Sequence, residues 1–230
     1  MGREIEKMAL KTGHDIPFRL NRPEDWDHAG KALKNSDVII DFSWPDAASE
    51  NIRKAFDLGI PMVTGTTGWY ERLPKVKSWC EQEKQTLFVA ANFNIGVNVM
   101  LHLSGNLARI MDRFNEYDLS IEEIHHIHKL DSPSGTAIRI AEEVISRMKD
   151  KRDWSGETSR DPSLLQVTSR REGEVTGTHI LKAESAYDSL EIIHRAKSRQ
   201  GFASGALLAA SWIQGKKGFY TMKDLLELRD

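Results

Sequence analysis

The chain has 230 residues, 40% hydrophobic and 29% charged, with 32 Lys and Arg against 34 Asp and Glu. That is enough apolar matter for a sizeable core, and the charge balance leaves no global positive field for nucleic acid, so a charged ligand has to be met locally. A single cysteine excludes an internal disulfide and a cysteine-rich metal site, the N-terminus MGREIEKMALK lacks the apolar stretch of a secretion signal, and no apolar run approaches the roughly 20 residues of a membrane span. A cytoplasmic protein without a membrane segment is expected.

Met1-Gly2-Arg3-Glu4 opens a helix and looks like the end of a dinucleotide fingerprint, its last glycine allowing tight packing of helix on strand. The strand and the two glycines that precede such a turn are not in the sequence, so the sheet is expected to lack its first strand and to be less stable than a form that carries it. DIPFRL (15–20) reads as the second strand, with Asn21 and Arg22 after it. DVIIDFS (37–43), IPMVTGTT (60–67) and TLFVAANF (86–93) follow as further strands, alternating with helical segments at 45–59 and 69–84. This rhythm is that of a parallel α/β sheet. A long apolar helix is expected over 95–114.

From Tyr117 the pattern changes, and a second domain is expected to begin near residue 95. YDLSIEEI, VTGTHILKAES and SLEIIHRA alternate apolar and polar residues, which predicts a sheet with antiparallel neighbours, packed against an amphipathic helix at 136–148. The polar stretch 149–163 reads as an exposed loop, and the tail returns to helix at 205–214 and 221–228.

Ligands of parallel sheets bind where strand carboxyl ends open onto a crevice. Three loops occupy such ends: FSWP (42–45), GTTG (65–68), with glycines for close backbone approach and two hydroxyls that can donate, and AANF (90–93), with an aromatic ring suited to the floor beneath a nicotinamide. Turn-making alone would explain any one of them.

The densest constellation is HHIHKLDSPSGTA (125–137). On a strand running to His128, residues 125 and 129 would lie about 13 Å apart, so joint action requires a turn, which Asp131, Ser132 and Pro133 supply. Ser134-Gly135-Thr136 then form a helix N-terminus whose free amides face the lysine and histidines, a place for a carboxylate or phosphate. Three readings stand at this point: a helix cap with structurally satisfied histidines, a metal chelate built on His126 and His128, and an acid/base site for a dianion. No metal centre is expected, because no cysteine or carboxylate at suitable spacing completes the chelate.

This run, with GTTG, AANF and SLEIIHRAKSRQGFASGALLAASW (189–212), resembles bacterial dihydrodipicolinate reductases over essentially the whole chain. The resemblance implies a Rossmann-type parallel-sheet domain over 1–94 and 200–230 and an α+β mixed-sheet domain over 95–199 for substrate binding and tetramer contacts. It further implies transfer of hydride from NADPH or NADH to a cyclic unsaturated dicarboxylate in a cytoplasmic homotetramer of the lysine pathway. His125 then resembles the acid/base and Lys129 the proton donor, with His126, Ser134, Gly135 and Thr136 on the substrate and Arg199 as an additional contact. Met1 and Gly2, Phe42 and Ser43, Gly65, Thr66 and Thr67, and Ala90, Ala91, Asn92 and Phe93 correspond to cofactor contacts. Asn21-Arg22 replaces the acid that favours NADH, so Arg22 is expected to meet the 2'-phosphate of NADPH. A reductase-like binding or assembly protein without turnover is the alternative.

Overall fold

Short apolar, β-branched runs form the sheet of the first unit in the computed structural model, which describes residues 1–229. Ile39–Asp41 (β1), Met62–Thr64 (β2) and Thr86–Val89 (β3) pair in parallel, and Gly218–Tyr220 (β9) adds to β3, giving the order β1-β2-β3-β9. Successive side chains of a strand face opposite sides. Met62 and Leu87 therefore enter one apolar layer with Ile52, Phe56, Val76 and Cys80, whereas Val63 and Phe88 enter another with Ile5, Ala206, Ala209 and Ile213. Pro45–Leu58 (α3) and Leu73–Gln82 (α4) supply the first layer, and Gly2–Lys11 (α1) and Gln200–Trp212 (α7) the second. With both faces covered, every residue of β2 and β3 is buried. Proline at the first turn of α3 costs no hydrogen bond, and Gly59 closes that helix at φ 72°.

This unit comprises Met1–Ile95 and Gln200–Arg229, and it departs from the sequence expectations in two places. Residues 15–20 form no strand. A strand needs a neighbour, and among the described residues this run makes no ladder bonds; Phe18 and Leu20 instead rest on the layer around Leu33 and Trp26, the latter on the short helix Pro23–Ala29 (α2). Gly2 does not serve close packing either: a Cβ there would meet nothing within 4 Å, because α1 is anchored one turn later by Ile5 and Ala9. The close approach falls on α7, where a Cβ at Gly205 would overlap the Phe93 carbonyl.

The second unit spans Gly96–Arg199. Ile95–Met111 (α5) leads to Asp118–His125 (β4), Gly135–Ile145 (α6), Asp153–Ser155 (β5), Leu164–Arg171 (β6), Thr178–Glu184 (β7) and Ser189–Arg195 (β8). The sheet order is β5-β6-β4-β7-β8, with β4 parallel to β6 and antiparallel to β7. β5 interrupts the stretch expected as loop, because its three residues pair with the start of β6 and Trp154 reaches the core. β4 ends at His125 rather than near His128, and the chain turns there, Lys129 N–H donating to the His126 carbonyl at 3.2 Å and Ile127 N–H to that of Gly173 at 3.1 Å.

Register decides what the inner face of this sheet contains. Leu119 lies beside Ala183, Ile121 beside Val167 and Leu181, Glu123 beside Ser169 and His179, and His125 beside Arg171. The face is thus apolar at one end and polar at the other. Ala137, Ile140, Ala141 and Val144 of α6, all fully buried, pack with the apolar rows.

The Gly205 contact is a test of the first unit. Gly205→Ala must displace either α7 or the Phe93 backbone, and it is expected to lower stability by about 1–3 kcal/mol, measured as a reduced urea midpoint at unchanged m value.

Candidate active site

In the first unit the loops at the strand ends are organised from beneath by Asp41, a buried carboxylate at the end of β1. Thr64 and Thr66 each donate a hydroxyl hydrogen bond to its Oδ2 at 2.8 Å, and Asn51 donates to Oδ1 at 3.2 Å. Thr66 Oγ1 also accepts from Ser43 N–H at 2.9 Å, which ties loop 42–45 to loop 65–68. The Thr66 hydroxyl is therefore committed within the protein, and Thr67 carries the exposed one. Gly65 faces the Phe42 ring so closely that any Cβ would overlap it. Phe93 is 2% exposed, packed between Phe42 and Phe88, so its ring belongs to the core, and Ala91 and Asn92 are the accessible members of AANF. Met1 precedes the first amides of α1 and stands exposed. Arg22 is exposed too, and the neighbouring Asp25 accepts the backbone N–H of both Asn21 and Arg22, which holds its carboxyl below the usual range. Asp41 escaped the sequence reading, although an acid closing an apolar strand is its visible signal.

In the second unit the period-2 alternation of β4 carries Glu123 and His125 onto the same face as Leu119 and Ile121. Glu123 is fully buried; its Oε2 pairs with His125 Nδ1 and its Oε1 accepts from Arg171 Nη1 at 2.9 Å. His179, across the strand, places Nε2 3.1 Å from Ser134 Oγ. That hydroxyl oxygen also accepts from Ala137 N–H at 3.2 Å, so Ser134 caps α6 as expected. Gly135 and Thr136 carry the preceding amides, which have no acceptor among the described residues. Lys129 Nζ donates to both oxygens of Asp131, at 2.6 and 2.8 Å.

The His126 and His128 rings have centroids 6.0 Å apart and His128 Nε2 lies 3.2 Å from Glu174, but among the described residues neither histidine belongs to a group of three close metal-ligating side chains. A different trio, Glu123, His125 and His179, has ligand atoms within 4.8 Å of one another, and so supplies the carboxylate that spacing did not reveal. Its carboxylate is engaged by a histidine on one oxygen and by a guanidinium on the other, which disfavours a cation at that point. Glu123, Arg171 and His179 are the residues that sequence reasoning missed. The signal for Glu123 was its place two before His125; nothing local marked Arg171, because β6 was not anticipated. Arg199 is exposed in its segment.

Burial shapes the titration of this cluster. Desolvation is the largest influence on Glu123 and pushes its carboxyl up, but the hydrogen bonds with His125 and Arg171 help to bring it down, from 4.5 to about 2. Burial, and after it the proximity of His125, pushes His179 down from 6.5 to about 4. Below 6.5 the unfolded chain takes up a proton that folded His179 refuses, so stability falls as pH drops from 6.5 to about 4. Glu123 contributes fully above 4.5 and loses that contribution as pH falls through about 2. Burial also lowers His194 from 6.5, so acidification is expected to weaken the fold in two stages, and His179→Gln to reduce the upper one alone while His194 keeps its share; urea titrations across both windows check this.

Comparison with known proteins places this geometry in a family. The model described as the N-terminus of dihydrodipicolinate reductase matches residues 1–93, and that described as its C-terminus matches 96–226. A 4-hydroxy-tetrahydrodipicolinate reductase of Christiangramia forsetii is 42% identical over 98% of this chain and 93% of its own length. The protein of the same name from Neisseria meningitidis serogroup B is 36% identical over 98% of this chain and 85% of its own. Among solved structures, a dipicolinate-bound dihydrodipicolinate reductase from Paenisporosarcina sp. TG-14 shares the fold with a TM-score of 0.77 at 20% identity, covering 96% of this chain and 92% of that one. With both halves matched and identity of this level along nearly its whole length, the chain belongs to the dihydrodipicolinate reductase family.

Proposed function

We propose that the protein reduces 4-hydroxy-tetrahydrodipicolinate, or the dihydrodipicolinate formed from it by loss of water, to tetrahydrodipicolinate in the diaminopimelate route to lysine. The observation that carries this reading is the meeting, at one end of one sheet, of His125, the Lys129 loop and the uncapped amides of Gly135 and Thr136. Two carboxylates on a small ring need concentrated donors, and a cationic side chain beside a helix N-terminus provides them. In this reading the Gly135 amide and the Thr136 amide and hydroxyl hold one carboxylate, with Ser134 fixing the cap beneath them. His126, whose Nδ1 is buried without a partner among the described residues, contacts the substrate as well. Lys129 donates a proton to the carbanion-like centre, and His125 serves as acid/base.

The first unit fits a nicotinamide cofactor, because accessible Thr67, Ala91 and Asn92 stand just after the ends of β2 and β3 and the Asp41 network holds loops 42–45 and 65–68 together. A reduced nicotinamide supplies the hydride when bound. Ser43, Gly65, Thr67, Ala90, Ala91 and Asn92 are the contacts in this reading, with Phe42, Thr66 and Phe93 shaping the loops and Met1 and Gly2 beside the pyrophosphate. Arg22 gives the preference: it is exposed and the acid beside it is engaged by backbone amides, so NADPH is taken at least as well as NADH. The first unit is accordingly the dinucleotide-binding domain and the second the substrate and assembly domain. A homotetramer in the cytoplasm completes the proposal; the sheet face opposite α6, with half-exposed Ile193 beside Ile180, is the surface for assembly. A reductase-like binding protein without turnover has no observation of its own in its favour.

Two measurements test this. Absorbance decay of NADPH with freshly prepared substrate is expected for the chain itself, and Lys129→Ala is expected to lower kcat by about 10²–10⁴-fold with an unchanged circular dichroism spectrum; cofactor binding without turnover in the parent protein would overturn the reading. Arg22→Ala is expected to raise KM for NADPH and leave that for NADH unchanged, and equal effects on both would remove the 2'-phosphate role.

A further inference from the structure

We infer that Arg171 is a positioning residue for both acid/base side chains at once. Its guanidinium is planar with donors in a fixed fork, so its bonds constrain one another. Nη1 donates to Glu123 Oε1 at 2.9 Å, Nη2 to the Asp131 carbonyl at 2.7 Å, and Nε points to the Lys129 carbonyl at 3.4 Å. One cation thus holds the carboxylate behind His125 and the loop that presents Lys129. The parallel pairing of β6 with β4 puts Arg171 level with His125, and two backbone bonds lock the adjoining segments: Glu172 N–H to the His125 carbonyl at 2.8 Å and Ile127 N–H to the Gly173 carbonyl at 3.1 Å.

The consequence for His125 is a fixed tautomer. With Oε1 held by Arg171, Oε2 of a fully buried Glu123 faces Nδ1, and an ionised carboxylate is an acceptor only, so Nδ1 carries the proton. Nε2 is then the ring atom left to exchange a proton. It faces Gly177, where a Cβ would stand 2.9 Å from it, so the absence of a side chain keeps that edge of the ring clear. The consequence for Lys129 is a fixed origin: Nζ is held by Asp131, whose backbone is held by Arg171.

This inference rests on the proposed reductase reading for its kinetic arm alone. Arg171→Ala and Arg171→Lys are made in the full chain, and the imidazole nitrogens of His125 are observed by ¹⁵N NMR while turnover is measured. In the parent protein His125 is expected as the Nδ1–H tautomer. Arg171→Ala is expected to give a mixture of tautomers and to lower kcat by about 10²-fold, the scale for misplacing a reacting group by an ångström, with KM for the dicarboxylate within about twofold by the same argument and partial rescue by low, non-denaturing guanidinium. Arg171→Lys keeps the buried charge compensated and serves where the alanine variant fails to fold; it is expected to retain the tautomer but lose kcat, because an ammonium does not span carboxylate and loop together. A retained tautomer with unchanged kcat per folded molecule in both variants overturns the inference and leaves Arg171 a structural residue. Absence of turnover in the parent protein counts against the reductase reading, while the tautomer measurement still decides the role of Arg171.

Discussion

A carboxylate with no access to water, at the end of an apolar sheet face, is the constraint on which the second unit is built. An isolated buried charge is costly, and Glu123 is tolerable only because a histidine and a guanidinium take up its two oxygens. Those partners come from different places: His125 from the same strand two residues on, Arg171 from a strand that pairs in parallel, 48 residues after Glu123. The sheet topology and the chemistry of the face are therefore one problem. Without the β4–β6 pairing the carboxylate would have no cation.

The same device recurs in the first unit at smaller scale. Asp41 closes a short apolar strand and gathers two threonine hydroxyls and an asparagine amide, so that two loops separated by more than a helix share one anchor. In each unit a buried acid at a strand terminus turns irregular backbone into a defined surface. Loops so anchored present their amides and hydroxyls in fixed directions, which is what recognition of a charged ligand demands.

Missing side chains matter as much as polar ones. Gly205 lets α7 meet the Phe93 carbonyl, Gly65 admits the Phe42 ring, and Gly177 leaves space beside His125 Nε2. Each is a contact between a backbone and a group distant in sequence. None serves the purpose that local pattern suggested for Gly2, whose neighbourhood is open.

The alternation of short apolar runs with helical segments was enough to specify a parallel α/β unit followed by a sheet with antiparallel neighbours, because hydrophobic period is a local property of sequence and burial follows it; the parallel pairings that make the second sheet mixed were not in that pattern. The HHIHKLDSPSGTA run likewise disclosed a turn and a capped helix end, since turn and cap chemistry act within a few residues. What remained hidden depended on pairing. Residues 15–20 carry strand propensity but find no strand to pair with; β6 lacks a strong alternation and forms because β4 and β5 flank it. Glu123, His179 and Arg171 are ordinary residues until register sets them side by side. Local sequence determined which residues could do chemistry, and only the tertiary structure decided which of them meet, because hydrogen bonds between strands are set by neighbours that the chain brings from far away.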